Sequence, residues 1–282
     1  MSVPAVRAKR RGPVPYIVLV GFAAIAVLMV GPFVLVAMNS VKSKTDFAAH
    51  GGLSLPSSVD FGSFRTFWST VGFGNALTNS VLISGSVAVL AVVVSVFNAY
   101  AIGIGRVKGR LWILGIFLLG NLLPQEALVY PLYDLAKRVG LYDDILSVII
   151  VFTVIQAAFG TYLLSSVLST FPTEVLEAAR LDGAGRWRIL WRIVVPICRP
   201  TIGVMLTLFF IWTWNEFFIP MVLLPSSENQ TVSVSIATTQ GQHMVDITMQ
   251  AASSMLAIIP AVVFFLLFQR TLTRGVAVGA VK

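Results

Sequence analysis

Six stretches of this chain, at approximately 15–38, 77–103, 111–133, 146–168, 201–224 and 251–269, are apolar over the length that a membrane span requires. An α-helix needs about 20 such residues to cross roughly 30 Å of hydrocarbon. In hydrocarbon every backbone N–H and C=O must be satisfied within the segment, so stretches of this kind fold as helices. The pattern predicts an all-α, polytopic membrane protein with six transmembrane helices. Composition agrees where it decides something. Only 11% of the 282 residues are charged, against about 25% in soluble domains. Isolated breakers such as Gly31 and Pro32 do not exclude a span.

The net charge of +8 does not point to nucleic acid, because the basic residues gather at the ends of apolar runs. With the N-terminus inside, Arg7, Lys9, Arg10, Arg11, Arg106, Lys108, Arg110, Arg180, Arg186, Arg188, Arg192, Arg199, Arg270, Arg274 and Lys282 all fall on the inner side. Lys42, Lys44, Arg65, Lys137 and Arg138 fall outside. Such an excess of Lys and Arg on one side marks the cytoplasm, so both termini are expected there. The basic N-terminus imitates a secretory signal, but the run that follows, from about Tyr16 to Met38, is too long for a cleaved segment. Cys198 is the single cysteine and cannot form an intrachain disulfide. With only His50 and His243 beside it, no metal-ligand spacing arises.

The outside segments differ in kind. Residues 39–76 are polar but contain Phe61, Phe64, Phe67 and Trp68, and are expected to cover the outer mouth. Residues 134–144, DLAKRVGLYDD, read as a short interfacial amphipathic helix. Residues 225–250, rich in Ser, Thr and Gln, read as a solvated connection or as a loop that reaches an external partner.

On the inner side, EAARLDGAGRWRILWRIVVP (177–196) is too charged to span and too regular to be slack. Thr173 can cap a helix with Glu174 in its first turn. Gly183 can close that helix in a left-handed turn. A second helix is expected from near Gly185, with Trp187, Leu190, Trp191 and Val194 on one apolar face. Arg188 and Arg192 lie on another face, and Pro196 and Pro200 limit or bend its continuation. Periodicity leaves two readings open. One is an interfacial helix anchored by Trp and Arg. The other is a docking element in which Ala178 and Ala179 permit close approach while Glu177 and Asp182 offer acceptors.

The same stretch resembles the Glu-Ala-Ala signature of bacterial ABC importer permeases. Glu177, Ala178 and Ala179 are followed by Gly183, and then by Ile193 and Pro196, with Val195 where the signature has Leu. NSVLIS (79–84), NAYAIGIGR (98–106), PLYDLAKRVGLYD (131–143), WNEFFIP (214–220) and the terminal RGVAVGAVK also resemble the carbohydrate-uptake branch, in the manner of the maltose-type second permease. Asn98 departs from the Ala more usual there. The resemblance implies the binding-protein-dependent ABC importer permease fold. It implies a cytoplasmic tail at 1–14, a six-helix permease domain at 15–269 with a coupling loop at 170–200, and a cytoplasmic tail at 270–282. Glu177, Ala178, Ala179, Asp182 and Gly183 would then couple to a cytoplasmic ATPase.

The resemblance further implies two nucleotide-binding subunits carrying ATP and Mg2+, and a second homologous permease, expected to be non-identical. An extracytoplasmic solute-binding protein and a sugar ligand complete the expected set, in a bacterial inner membrane and without nucleic acid. The chain is expected to hold no cofactor or metal and to be no enzyme, since it lacks the GxxxxGK[ST] loop that cradles phosphates.

Glu126 and Glu216 fall within expected spans, where a carboxylate is costly unless paired, protonated or facing water. Each reads as part of a polar pathway or a contact between subunits, or else as a residue near the outer headgroup level, and Glu126, beside Pro124 and Gln125, reads also as standing where its helix is broken. Asn121, Trp212, Trp214, Asn215 and Phe217 are candidates to contact a sugar, although membrane aromatics more often pack in cores or mark interfaces. In such pairs the other permease can supply most sugar contacts. Rival readings are a self-contained secondary transporter using Glu126 or Glu216, a membrane scaffold that moves nothing, and an importer of a polyol or glycerol phosphate.

Overall fold

The computed structural model describes residues 14–105, 107–242 and 246–280. Arg7, Lys9, Arg10, Arg11, Arg106, His243 and Lys282 lie outside them. In chain order the helices are α1 (Val14–Ser40), α2 (Lys44–His50), α3 (Gly62–Val71), α4 (Phe73–Ala99), α5 (Arg110–Leu122) and α6 (Gln125–Arg138). There follow α7 (Ile145–Ser169), α8 (Thr173–Leu181), α9 (Arg186–Ile189), α10 (Val195–Asn215), α11 (Phe218–Leu223), α12 (Val232–Gln242) and α13 (Ile247–Ala280). A π-helical turn, Tyr100–Ile104, extends α4, and another, Leu190–Val194, joins α9 to α10.

Among the described residues five helices are long and apolar enough to cross a membrane: Tyr16–Ser40, Phe73–Ile104, Ile145–Ser169, Arg186–Asn215 and Ile247–Leu267. The bent pair α5 and α6, with 95° between them, makes a sixth if the two together form one broken span. The protein is thus an all-α, multi-pass membrane protein. Three expectations need correction. The third span is no straight helix over 111–133: Pro124 has no N–H to continue the ladder, Leu123 is extended, and α6 starts afresh at Gln125. Residues 134–138 therefore end α6 and do not form a separate interfacial helix. The fifth span lies earlier than 201–224. The helix runs unbroken through Pro196 and Pro200 and stops at Asn215. The π turn just before Pro196 absorbs the register change that its missing N–H imposes. Lastly, residues 232–242 are helical, not a solvated connection, and Val232, Val234 and Ser235 are buried.

The chain forms two compact units. In the smaller, residues 14–66 with 246–255, polar side chains hold the segment after α1. Buried Lys42 donates to Gly51 O (2.8 Å) and Ser54 Oγ (3.0 Å). Asp46 accepts from the Ser57 backbone N–H (3.1 Å) and hydroxyl (2.7 Å). Lys44 pairs with Asp246 at 2.7 Å.

In the larger unit, residues 67–242 with 256–280, α4 packs along α7 and against α10. Gly160 of α7 sits at their crossing. A Cβ there would lie 2.8 Å from Met205 Cε and 2.9 Å from Phe209 Cζ, and would strike Ser95 Oγ. Some of the polar side chains inside this bundle find partners on neighbouring helices, as hydrocarbon favours. Ser95 Oγ donates to Ala91 O, 2.6 Å away, with Ala157 O at 3.2 Å, and Asn98 donates to Thr161 Oγ1 at 3.3 Å. The start of α12 is tied to α4: the Val232 N–H donates to Ser80 Oγ (2.9 Å), and Asn79 donates to Glu228 O (2.8 Å). The turn before α7 is clamped in the same way. Asp143, at φ +62°, accepts from Ser226 and Asn229. Burial pushes its carboxyl up, but those hydrogen bonds outweigh burial and hold it below its ordinary 3.8.

Candidate functional site

Two places in the larger unit gather the residues nominated from sequence. The first is a cavity of about 430 Å³ at the ends of α5 and α10. Asn121 reaches it from the end of α5 and Gln125 from the start of α6, across the bend at Pro124. Trp212 and Asn215 come from the last turn of α10, and Glu216 from the extended residue that ends it. Gln156, with Phe152, Ile155 and Phe159, supplies the α7 wall. Irregular backbone at membrane depth is tolerated where it is buried in protein or lines a cavity.

Trp212 is 43% exposed and is braced edge-on by Phe159, with ring centroids 5.2 Å apart. Asn121 and Asn215 each donate to the carbonyl one turn back, Phe117 O at 2.9 Å and Ile211 O at 2.8 Å. Glu216 is the extended residue that separates α10 from the short α11.

The structure thus brings Asn121, Trp212, Asn215 and Glu216 to one cavity and leaves three other nominated residues off its lining. Trp214 is buried and stacks on Phe210 (5.8 Å, 13°). Phe217 is half-buried where α11 begins. Glu126 is exposed in the first turn of α6. Gln125 and Gln156 were not singled out from the sequence. The signal for Gln156 is an amide in the middle of an apolar span, which is costly unless it is partnered.

The second place is the helix α8. Leu176 and Ala179 are buried in the hydrophobic core shared by α4, α7 and α10, together with Phe171, Leu190 and Val194. Glu177, Ala178, Asp182 and Gly183 are exposed. Of the two alanines, only Ala178 offers a surface for close approach; Ala179 anchors the helix. The helix starts after Pro172, and Thr173 makes no capping bond. Its far end is as expected. Gly183 has φ +76°, its N–H donates to Arg180 O (3.0 Å), and the Ala184 N–H donates to Ala179 O (2.9 Å). That pair of bonds is a Schellman closure, which needs a residue that tolerates the left-handed region.

Leu181 was overlooked in the sequence and is 89% exposed beside this turn. The Trp187–Val194 face divides: Leu190 and Val194 turn into the core, while Trp187 and Trp191 remain partly exposed and meet the Phe97 edge (5.9 and 6.2 Å). Beside α8 lies a polar cavity of about 770 Å³, lined by Thr173, Glu177 and Arg180, the end of α7, and residues 103–105, Val107, Gly109 and Arg110.

The family described as the binding-protein-dependent transport system inner membrane component matches residues 100–278, which include both places. Among curated relatives, the melibiose/raffinose/stachyose import permease protein MelC of Bacillus subtilis is 27% identical, over 89% of this chain and 91% of its own. The trehalose transport system permease protein SugB of Mycobacterium tuberculosis is 29% identical, over 93% of this chain and 94% of its own. Among solved structures, a bacterial ABC transporter involved in the import of the acidic polysaccharide alginate superimposes with a TM-score of 0.77, covering 95% of this chain and 99% of its own. At 22% identity that likeness speaks for the fold alone.

Proposed function

The chain belongs to the family of binding-protein-dependent transport system inner membrane components, and we propose that it is one of two permease subunits of an ATP-driven importer for a sugar or oligosaccharide, of the maltose-type second-permease kind. The sugar-transport names of its relatives support the cargo class. The observation that carries the mechanism is α8: exposed Glu177, Ala178 and Asp182 on and at the end of a helix rooted through Leu176 and Ala179 in the core of the spanning helices.

A push on such a helix moves the bundle, because a packed core transmits displacement instead of absorbing it. A cytoplasmic ATPase docks on Glu177, Ala178, Leu181, Asp182 and the Gly183 turn. ATP and Mg2+ bind in that partner, of which the assembly holds two copies. A solute-binding protein delivers cargo on the opposite side. Dimerisation of the ATPases on binding ATP biases the spans toward the outward-open state, and hydrolysis resets them. Transport is therefore a population shift between two states. The cavity at the ends of α5 and α10, with Asn121, Trp212, Asn215 and Glu216, is this subunit's share of the pathway. The termini and α8 lie on the cytoplasmic side of the inner membrane, as the Lys and Arg asymmetry implies. A second, non-identical six-span permease completes the pathway.

Affinity purification from the native membrane with mass spectrometry tests the reading. A stoichiometric ATPase and a second permease are expected. Glu177→Lys is expected to lose the ATPase and retain membrane insertion. A chain that purifies alone and still transports after reconstitution would refute the proposal in favour of a secondary carrier.

A further inference from the structure

One span is longer than the hydrocarbon it crosses, and its surplus carries the charge. The helix Arg186–Asn215 has 30 residues, which makes it about 45 Å long. Hydrocarbon takes up about 30 Å of that. Arg186, Arg188, Arg192 and Arg199 all lie in its first half, and residues 200–215 hold no charged side chain. An arginine in hydrocarbon is costly. The surplus of about 15 Å therefore stands among headgroups at the arginine end. All four arginines are exposed, and none has an ion pair among the described residues.

Aromatic side chains mark the same level. Trp187 is 67% exposed and Trp191 is 49% exposed. One turn apart, they meet the Phe97 ring of α4 edge-on, at 5.9 and 6.2 Å. Arg188 and Arg192 repeat that spacing in the next column of the helix. Ile189, Leu190 and Val194 turn the other way, into the core. Phe97 itself ends an exposed apolar stripe of α4 that includes Leu82, Val89 and Val93. Along one surface the order is thus hydrocarbon side chains, indole rings, then unpaired guanidinium groups. A phospholipid has the matching order of acyl chain, glycerol and phosphate. Indole rings settle at the headgroup level, and a guanidinium meets phosphate oxygens with paired N–H bonds. Glu174, Glu177 and Asp182 of the neighbouring segment pair with none of these arginines. The uncompensated positive charge favours a headgroup with net negative charge over a zwitterionic one, which brings a cation of its own.

We infer that Trp187, Arg188, Trp191 and Arg192 form, with Phe97, a binding site for the headgroup of an anionic phospholipid of the inner leaflet, whose acyl chains lie along the exposed stripe of α4. The inference rests on the cytoplasmic placement of α8 and α9.

The test uses the complex as purified from its membrane, placed in phosphatidylcholine nanodiscs. These hold a small fraction of phosphatidylglycerol or phosphatidylcholine with a photoactivatable diazirine near the carboxyl end of one acyl chain. After irradiation, mass spectrometry reads the labelling of the peptides that contain Phe97, Trp187 and Trp191. Phosphatidylglycerol is expected to label them at least about five times more than phosphatidylcholine. Replacing both Arg188→Gln and Arg192→Gln should abolish that preference, whereas Arg188→Lys with Arg192→Lys should keep most of it, since lysine retains the charge. In the unaltered complex, about 0.5 M salt should narrow it. Equal labelling by the two lipids, a preference that survives the glutamine replacements, or a site left unlabelled because the ATPase or the second permease covers it would each overturn the inference. The cytoplasmic placement fails by a different result: Gly185→Cys labelled by a membrane-impermeant maleimide from outside intact cells.

Discussion

Replacing Gly160 by Ala tests the packing that holds both functional places together. The added methyl would lie 2.8 Å from Met205 Cε and 2.9 Å from Phe209 Cζ, besides striking Ser95 Oγ. Carbon atoms in contact sit about 3.5–4.0 Å apart, so the overlap is close to 1 Å at two carbons. Neither neighbour has free space, since Met205 and Phe209 are both fully buried. Overfilling a tight core by one such group costs about 1–3 kcal/mol. Alanine recovers up to about 1 kcal/mol as the better helix former. With the full recovery the net expectation is a loss of up to about 2 kcal/mol. Gly85 of α4 is the control, because a Cβ there meets nothing within 4 Å. Gly85→Ala should be neutral or stabilising by up to about 1 kcal/mol. Thermal unfolding of the purified chain in one detergent compares the two. In a double-mutant cycle, Gly160→Ala should couple to Met205→Ala by at least about 0.5 kcal/mol. A Gly160→Ala protein as stable as Gly85→Ala would refute the close crossing of α4, α7 and α10.

Three further outcomes are expected. Leu181→Ser should weaken ATPase retention during purification while leaving the melting temperature of the chain nearly unchanged, because Leu181 is exposed; a large drop in melting temperature would mean that it packs inward. Gly183→Val places a β-branched residue at φ +76°, which should cost about 1–2 kcal/mol and speed amide exchange at Ala184. Asp143 has a depressed carboxyl pKa, so its contribution is complete above its unfolded value of 3.8 and is lost as pH falls through the lower folded value. Asp143→Asn keeps a side chain that tolerates φ +62°, and should flatten the loss of stability on acidification below about pH 4. An unchanged acid limb would show that the clamp to Ser226 carries no charge-dependent stability.

Much of this molecule was legible along the chain because the relevant physics is local. A run of about 20 apolar residues must be helical in hydrocarbon whatever surrounds it. Gly183 after a helical stretch closes it in the left-handed region, as found, because few other residues adopt that geometry cheaply. What the sequence left open depends on which helices become neighbours. Pro124 signals an interruption, but only its surroundings turn that into a 95° bend. Residues 232–242 look polar enough for solvent, yet Ser80 and Asn79 of α4 satisfy the start of that segment. Asn121, Gln156 and Glu216 are separated by 35 and 60 positions, and no periodicity relates them. They meet because α5 and α10 both stop at the level where α7 carries a glutamine. Helix content is decided by solvent and local pattern, whereas a cavity is decided by packing between distant segments, and only the tertiary structure holds that information.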